Sequence, residues 1–435
     1  MSTDTTTSAT PDAADPGPSL WRDRDFLRLW AGQTVSQFGA QLAHVAIPVL
    51  AIVLLGASEF EVGLLSAADT AAFLVVGLPA GAWIDRMRKR RVMIVADLVR
   101  ALALAAIPAL WALDALEMWH VYLVGLVIGT ATVFFDVSYQ SVIPVLVRRP
   151  RIGEANAKLE ASAQVARIGG PAIGGGLLAL VSAPFVILGT AIGYLVSFAF
   201  LLGIRADETP KPRTPGVGLV AEIREGLSFV WHHRLIRRIT LNTALANFFG
   251  TLSMTLVSLL VLRELGLTPA VLGLVLSIGS AGGLLGALAT PWLTRRLGEG
   301  TVIPASTVMF GLSACLVPLT AAVPQFAVPL LIVAELGFSF SVLVYNIAQV
   351  SFRQRVTPHH LLGRMNASIR FVVWGVMPIS SLIAGALASV IGVVPTMWVG
   401  AICQLLAGAV VVFSPFRGMR TLPDADEEVG AAPEA

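Results

Sequence analysis

The feature that most constrains the fold of this chain is a series of long apolar stretches separated by polar breaks. A transmembrane helix needs about 20 consecutive, mostly apolar residues. Twelve stretches of that kind lie near 30–55, 60–84, 92–113, 119–145, 158–180, 184–204, 239–262, 270–293, 302–322, 327–350, 366–390 and 396–415. Because lipid offers no hydrogen-bond partners to backbone N–H and C=O groups, each stretch must be helical. The sequence therefore predicts an all-α integral membrane protein with twelve transmembrane helices.

The composition supports membrane insertion and argues against several other classes of protein. Hydrophobic residues make up 56% of the chain and charged residues 13%. The mean hydropathy of +0.79 is typical of a protein that lies in lipid. The net charge of +3 is too small for a nucleic-acid-binding protein. Because the sequence holds no Walker loop, zinc-ligand spacing or nucleophile elbow, we predict neither an enzyme nor a need for a cofactor or a metal.

Basic residues lie almost entirely on one side of the predicted membrane. An even number of spans puts both ends of the chain on the same side, and cytoplasmic loops carry the excess of Lys and Arg. Cytoplasmic termini place the basic cluster 86–91 and the segment 205–238 inside, whereas the opposite loops carry almost nothing basic except Arg263. Arginine far outnumbers lysine, which is typical of proteins encoded by GC-rich bacterial genomes. We therefore predict a multi-pass protein of the bacterial inner (plasma) membrane, with disordered cytoplasmic tails at 1–27 and 416–435.

The two halves of the chain are related to each other. The longest polar break is a cytoplasmic linker, 205–237, whose second part favours a short amphipathic helix on the membrane surface. It separates 28–204 from 238–415. A gap-free shift of 210 residues pairs Arg28 with Arg238, Gly63 with Gly273, Arg86 with Arg296, Pro108 with Pro318, Asn156 with Asn366 and Gly175 with Gly385. Parallel repeats of six spans predict two pseudo-symmetric six-helix lobes with a substrate path between them.

Two motifs resemble those of a known superfamily. The segment "GLPAGAWIDRMRKRR" resembles the signature loop between the second and third helices of the major facilitator superfamily, and it matches at Gly81, Asp85, Arg86, Lys89, Arg90 and Arg91. The fifth stretch resembles the Gly-Pro-x-x-Gly-Gly motif typical of the superfamily's exporters, and it matches at Gly170, Pro171, Gly174 and Gly175. With "FLRLWAGQTVSQFGAQLA" near the start, the chain is similar to the branch that includes macrolide-efflux and siderophore-export proteins. The resemblance covers about 28–415.

The resemblance implies a fold and a function. The fold is the major facilitator fold, and the function is secondary active export of small amphipathic organic molecules, such as drugs, macrolides or siderophore-like compounds, by alternating access. Because the sequence holds no ATP site, uphill transport needs an ion gradient, and we expect proton coupling. An importer or facilitator of a small nutrient or metabolite is the alternative. The expected partners are the substrate, a proton and membrane lipid, and we expect a monomer.

The signature loop predicts a gate. The resemblance implies that Asp85 faces the start of the eleventh helix near Arg364, where a carboxylate at a helix N-terminus is stabilised by about 0.3–1 kcal/mol. Arg86 is placed to pair with Asp136, and Gly81 permits close packing. These contacts would hold the lobes together on the inside. The alternative for this loop is a topology signal that also contacts anionic lipid.

Charged residues within the apolar stretches are the candidates for ion coupling. An ionised side chain at mid-membrane costs roughly 2.5–3.5 kcal/mol on insertion scales. Asp69 and Glu335 lie deepest among the carboxylates, and removal from water disfavours the charged form of a carboxyl group. We predict them as proton-coupling residues, with polar cavity lining as the alternative. We expect four other charged residues to form structural ion pairs or to be partners in the gate: Asp97, Arg100, Asp136 and Arg370.

A polar stripe on the first helix predicts a cavity wall. Gln33, Gln37, Gln41 and His44 are spaced four, four and three residues apart and share one face. Exposure of an amide side chain to lipid costs free energy, so this face points either into a cavity or against another helix. Further candidates for the substrate cavity are Arg167, Asn242, Asn247, Tyr345 and Asn346.

Small residues predict a close contact between the lobes. Gly170, Pro171, Gly174 and Gly175 in the fifth helix permit close approach of a neighbouring helix. The eighth helix offers Gly282, Gly283 and Gly286 in return. The alternative is ordinary small-residue packing.

Overall fold

The computed structural model describes residues 19–77, 83–84, 87–205, 219–358 and 361–413. All regular structure in these residues is helical, and ten of the helices are long and apolar enough to cross a membrane. Of the other predicted stretches, the second has only a 17-residue helix in the described part, and the fifth is rich in glycine and polar residues. The predicted all-α membrane architecture is confirmed.

The helices of the first half begin close to the predicted positions. They are α1 (Arg24–Val49), α2 (Glu59–Val75), α3 (Lys89–Ala112), α4 (Met118–Leu146), α5 (Ile152–Leu178) and α6 (Ala183–Gly203). The predicted tail 1–27 is wrong in its last residues, because α1 begins within it. Asp23 accepts hydrogen bonds from the backbone N–H groups of Asp25 and Phe26, and this N-cap fixes the start of the helix. Residues 1–18, and the predicted tail 416–435, lie outside the described residues.

The second half adds a helix that lies in the predicted linker. Its helices are α7 (Leu219–His232), α8 (Arg234–Met254), α9 (Pro269–Leu297), α10 (Glu299–Leu319), α11 (Ala327–Val356), α12 (Leu362–Ile391) and α13 (Val393–Ala407). α7 lies in the part of the linker for which a short helix is predicted, and it packs against α12. A π-helical turn, Leu50–Leu54, follows α1, and a second one, Leu260–Glu264, follows α8. The two turns are 210 residues apart, so the repeat extends to local distortions of the helices.

Helix packing repeats in the same way. In the first half α1 packs against α5 and α6, α3 against α4 and α6, and α2 against α4. In the second half α8 packs against α12 and α13, α10 against α11 and α13, and α9 against α11. The halves meet through two further pairs, α2 with α12 and α5 with α9, which the 210-residue shift exchanges. The internal repeat predicted from sequence is therefore present in the helix contacts.

Four glycines form close contacts between the halves. A Cβ on Gly63 would lie 2.7 Å from the Cα of Gly385, and a Cβ on Gly273 would overlap the carbonyl oxygen of Pro171 beside Gly175. Gly63 and Gly385 are related to Gly273 and Gly175 by the repeat. We call the end of the bundle that holds these four residues the closed end.

Serine and threonine side chains reinforce the closed end. The Ser66 and Ser381 hydroxyl oxygens are 3.0 Å apart, between α2 and α12, and Thr255 donates to Ser381 at 3.2 Å. Ser277 of α9 accepts a hydrogen bond from the backbone N–H of Ala172 and donates one to the carbonyl of Ile168. It therefore bridges a helical N–H and C=O of α5 from the other half of the chain.

The remaining predicted packing glycines face their own half. Gly170 lies against Gln41 and Gly174 against Leu42, both on α1. On α9, Gly282, Gly283 and Gly286 lie against Leu336, Leu343 and Phe340 of α11. This corrects the predicted pairing of these glycines across the halves. The reason is helical geometry, since residues three or four apart share a face and this face of α9 is turned away from α5.

The closed end gives a first prediction. Replacement of Gly175 by alanine adds a Cβ that would lie 2.6 Å from the carbonyl oxygen of Pro269, and overpacking of this kind costs about 1–3 kcal/mol. The Gly175→Ala variant should therefore favour separation of the halves, measured as slower disulfide formation between cysteines introduced at positions 66 and 381. Gly176→Ala is the matched control, because a Cβ on Gly176 meets nothing within 4 Å. Equal rates in the two variants would show that the glycine contact does not set closure.

Candidate substrate cavity

A cavity of about 550 Å³ lies between the two halves, next to the closed end. Pockets for drug-sized ligands span about 300–1,000 Å³, so its volume suits a small organic molecule. The first half contributes residues of α1 to α6 to its wall, and the second half contributes the end of α8 and the start of α9.

The two halves give the wall different chemistry. The described charged and titratable lining residues all belong to the first half: His44, Asp69, Arg100, Asp136, Arg167 and Tyr194. The second half supplies Met254, Thr255, Val257, Ser258, Leu272 and Leu276. One side of the cavity is therefore charged and the other is mainly apolar, which is complementary to an amphipathic molecule.

Asp69 is the most prominent charged group of the wall. Its side chain is exposed to the cavity and forms no hydrogen bond or ion pair with another residue of the part of the chain that the structure describes. The α2 backbone at Asp69 is held closely against α4, because a Cβ on Gly129 would overlap the Asp69 carbonyl oxygen. Close packing thus fixes the position of a carboxylate that remains free to bind a cation.

Arg100 is held more tightly. It forms a buried ion pair with Asp97 one helical turn earlier on α3. Its guanidinium lies 4.2 Å from the ring centre of Phe135 and 4.4 Å from that of Tyr194, within the range of a cation–π interaction. Asp136, the residue after Phe135 on α4, also lines the cavity. Arg100 is therefore a fixed positive charge at the edge of the cavity.

The polar stripe on α1 divides between the two interpretations left open by the sequence. Gln33, Gln37 and His44 line the cavity. The His44 side chain is exposed to the cavity. Gln41 packs instead against Gly170 of α5. Arg167, also predicted for the cavity, lines it and is exposed there.

The predicted cavity residues of the second half lie elsewhere. The Tyr345 hydroxyl accepts a hydrogen bond from Asn242 at 3.0 Å and lies 2.7 Å from the Thr243 hydroxyl. Asn247 donates to the carbonyl of Val373 at 3.0 Å. Asn346 is exposed but is not part of this cavity wall. Most of these polar side chains therefore hold α8 against α11 and α12.

The predicted gate is only partly described. Gly81, Asp85 and Arg86 lie outside the described residues. Asp136 lines the cavity, and Arg364 at the start of α12 forms an ion pair with Glu225 of α7. The sequence pattern does not single out Glu225, although a helix in the linker places its charges near the start of a neighbouring span.

Residues at the closed end were also missed. Arg263, noted only as an exception to the charge pattern, donates to the Ala57 carbonyl at 2.7 Å and to Glu59 at 3.3 Å, across the two halves. Ser66 and Ser381 carried no signal beyond the general use of small polar residues between membrane helices. The unusual position of Arg263 was the one available indication of a contact here.

An all-helical membrane bundle with pseudo-repeated halves and a cavity of this size between them is the architecture of a membrane transporter for small molecules. A family model described as transmembrane secretion effector matches residues 19–430. The chain belongs to this family of the major facilitator superfamily.

Individual relatives agree with this assignment. The multidrug efflux pump Tap of Mycolicibacterium fortuitum is 28% identical over 390 residues, covering 87% of this chain and 92% of that protein. The macrolide efflux protein A of Streptococcus pyogenes is 22% identical over 373 residues, covering 85% of this chain and 90% of that protein. The crystal structure of a bacterial homologue of the iron transporter ferroportin, in its inward-facing state, superposes with a TM-score of 0.72 at 16% identity, covering 92% of this chain and 100% of that one.

These findings confirm the resemblance to the efflux branch of the superfamily. The protein is a transporter and not an enzyme, and it is a multi-pass protein of the bacterial plasma membrane.

Proposed function

We propose that the protein is a proton-coupled exporter of small amphipathic organic molecules. The observation that carries this proposal is the cavity, in which a charged wall faces a mainly apolar wall and the Asp69 carboxylate of the charged wall has no partner among the described residues. The names of the relatives, a multidrug efflux pump and a macrolide efflux protein, support export as the direction. A charged or polar group of the substrate binds the first half, and its apolar part contacts the second half.

The cavity changes its access by movement of two six-helix lobes, 28–204 and 238–415. Both termini are cytoplasmic in this proposal, so the closed end faces the outside. The glycine contacts and the Arg263 contacts then seal the cavity from the outside in the described conformation. The signature-loop residues Gly81, Asp85 and Arg86, with Arg364, act as the gate on the opposite side.

Asp69 couples transport to the proton gradient. Its carboxylate lies in the cavity without a partner among the residues that the structure describes, so a proton and a cationic or hydrogen-bonding group of the substrate compete for it. A proton enters when the cavity is open to the outside and displaces the substrate there. Release of that proton on the inside restores the charge that binds the next substrate. The membrane potential contributes about 2.3 kcal/mol per charge per 100 mV to such a cycle.

The substitution Asp69→Asn tests this function. It keeps the shape and most of the polarity of the side chain but removes the exchangeable proton. The assay measures accumulation of ethidium, an amphipathic cation, in everted vesicles under an imposed proton gradient. We expect the ratio of ethidium concentrations inside and outside the vesicles to fall at least tenfold, equivalent to about 1.4 kcal/mol of lost driving force. Asp69→Glu should retain part of the activity.

The matched control is Asp114→Asn in the exposed turn after α3. Asp114 has a positive φ of 52°, a backbone conformation that asparagine also tolerates, so this variant should transport normally. Full gradient-driven transport by Asp69→Asn would contradict coupling through this residue. Gradient-driven accumulation in the opposite direction would contradict export and favour an importer.

A further inference from the structure

Glu335 is a buried carboxylate that is not part of the cavity wall. It lies on α11 with only 5% of its surface exposed. It forms no hydrogen bond or ion pair with any residue in the described ranges. Its Cβ faces Gly279 of α9, where an added Cβ would lie 2.7 Å away. An ionised carboxylate buried without a partner is strongly disfavoured, so such a group is normally neutral or pairs with a cation.

The internal repeat relates Glu335 to Asp69. A shift of 210 residues places Glu335 on Gly125 and Gly279 on Asp69. In the first half, Asp69 of α2 lies against Gly125 of α4. In the second half, Glu335 of α11 lies against Gly279 of α9. Because α2 with α4 and α9 with α11 are equivalent helix pairs, each half has one acidic residue in this helix pair, at positions that the repeat relates, and the acidic residue and the glycine have changed helices.

The surroundings of the two carboxylates differ. Asp69 shares a cavity with other charged side chains. Near Glu335, the basic residues of α9 begin at Arg295, about 24 Å from Gly279 at 1.5 Å per residue, and those of α11 begin at Arg353, about 27 Å away. On α10 the charged residue is Glu299 at the far end, and Cys315 carries an uncharged thiol. No charge in the described part of these three helices balances Glu335.

The helix that covers Glu335 also carries the contact between the halves. On α9, Gly273 and Ser277 contact α5, and Gly279 lies about 9 Å beyond Gly273 along the same helix. α9 therefore links two contacts: it meets α5 of the other half through Gly273 and Ser277, and it shields Glu335 through Gly279.

We propose that Glu335 forms a second site for a monovalent cation, a proton or a sodium ion, which is closed in this conformation and opens when the halves separate at the closed end. This inference rests on the proposed alternating access. Asp69 and Glu335 then exchange their cations in different conformations, so that one transport cycle moves two cations.

The test uses purified full-length protein in liposomes and dicyclohexylcarbodiimide, a hydrophobic reagent that modifies protonated carboxyl groups. The variant carries Ser66→Cys and Ser381→Cys, with the native cysteines replaced, so that oxidation holds the closed end shut. Peptide mass spectrometry locates the label. Because only protein without the disulfide can open, locking should reduce labelling of Glu335 in proportion to the disulfide fraction. Asp69 should be labelled with or without the lock.

Each outcome separates the alternatives. A rise in Glu335 labelling on reduction supports the second site, and equal labelling in both states, or none in either, overturns it. Loss of label with rising pH but not with sodium chloride identifies a proton, and protection by sodium chloride at constant pH identifies sodium. Ethidium transport by the reduced protein reports the proposed function separately, so that transport without a label on Glu335 overturns only the second site.

A helix-exchange variant provides an independent check. Glu335→Gly removes the carboxylate and should abolish the second labelled site. Adding Gly279→Asp reproduces the arrangement of the first half, with the carboxylate on α9 and the glycine on α11. Removal of the Glu335 side chain leaves room for the new Cβ at position 279. The label should then move to position 279 on α9 and keep its dependence on the lock. A folded double variant with no label at that position would contradict the proposed equivalence of the two sites.

Discussion

A disulfide between residues 66 and 381 should abolish transport, and a reducing agent should restore it. Ser66 of α2 and Ser381 of α12 face each other across the two halves, with hydroxyl oxygens 3.0 Å apart. Disulfides need Cβ atoms about 3.5–4.5 Å apart, and side chains in direct contact meet this requirement with little movement. A covalent bond here holds the closed end shut, so the cavity reaches only one side of the membrane.

The experiment compares the variant Ser66→Cys/Ser381→Cys with each single cysteine variant. The native Cys315 and Cys403 are free thiols and are first replaced by alanine to prevent other disulfides. Ethidium transport is measured before and after reduction, and mass spectrometry quantifies the disulfide. Because a protein locked in one state cannot complete a cycle, loss should be proportional to the disulfide fraction. Undiminished transport by fully cross-linked protein would contradict alternating access through this end.

The internal repeat shows what the sequence predicts well. Matches at one constant register placed Gly63 with Gly273 and Gly175 with Gly385, and the structure has equivalent helix pairs and equivalent π-helical turns at that register. The register identifies equivalent positions but not which of them touch. That Gly63 meets Gly385 follows from how the halves pack, which depends on helix faces that an apolar sequence leaves poorly marked.

The candidate site was harder to predict for a related reason. A polar side chain in an apolar helix avoids lipid, but both a cavity and a neighbouring helix satisfy that requirement. Gln37 lines the cavity, whereas Gln41, one turn further on, packs against Gly170. The polarity of Tyr345 predicts a place in the cavity wall, but its hydroxyl forms hydrogen bonds with Asn242 and Thr243. Only the packing of neighbouring helices decides such cases.

The asymmetry between the halves gives the second large prediction, which concerns the buried pair Asp97 and Arg100. Both side chains are almost completely buried, and they form an ion pair. Removing one partner of a buried ion pair leaves an uncompensated charge and costs about 3–5 kcal/mol. Arg100→Phe or Asp97→Thr alone should therefore lower the free energy of unfolding by that amount, measured by denaturation in mixed micelles of mild detergent and dodecyl sulfate.

The second half shows how the same place is filled without charge. Thr307 and Phe310 stand at the positions equivalent to Asp97 and Arg100. The Thr307 hydroxyl donates to the Ile303 carbonyl at 3.0 Å, and the Phe310 ring centre lies 4.5 Å from that of Phe338. The double variant Asp97→Thr/Arg100→Phe copies this arrangement, with Phe135 and Tyr194 available to pack against the new ring.

The double variant should recover most of the stability lost in either single variant. Replacing a buried ion pair by well-packed apolar groups is often neutral or stabilising, and residues in contact show interaction energies of about 0.5–3 kcal/mol in double-mutant cycles. A double variant as unstable as the single variants would show that the two charges act independently. Recovery of stability without recovery of ethidium transport would assign Arg100 to the function of the cavity, since it is a fixed positive charge in a wall whose described charges all come from the first half.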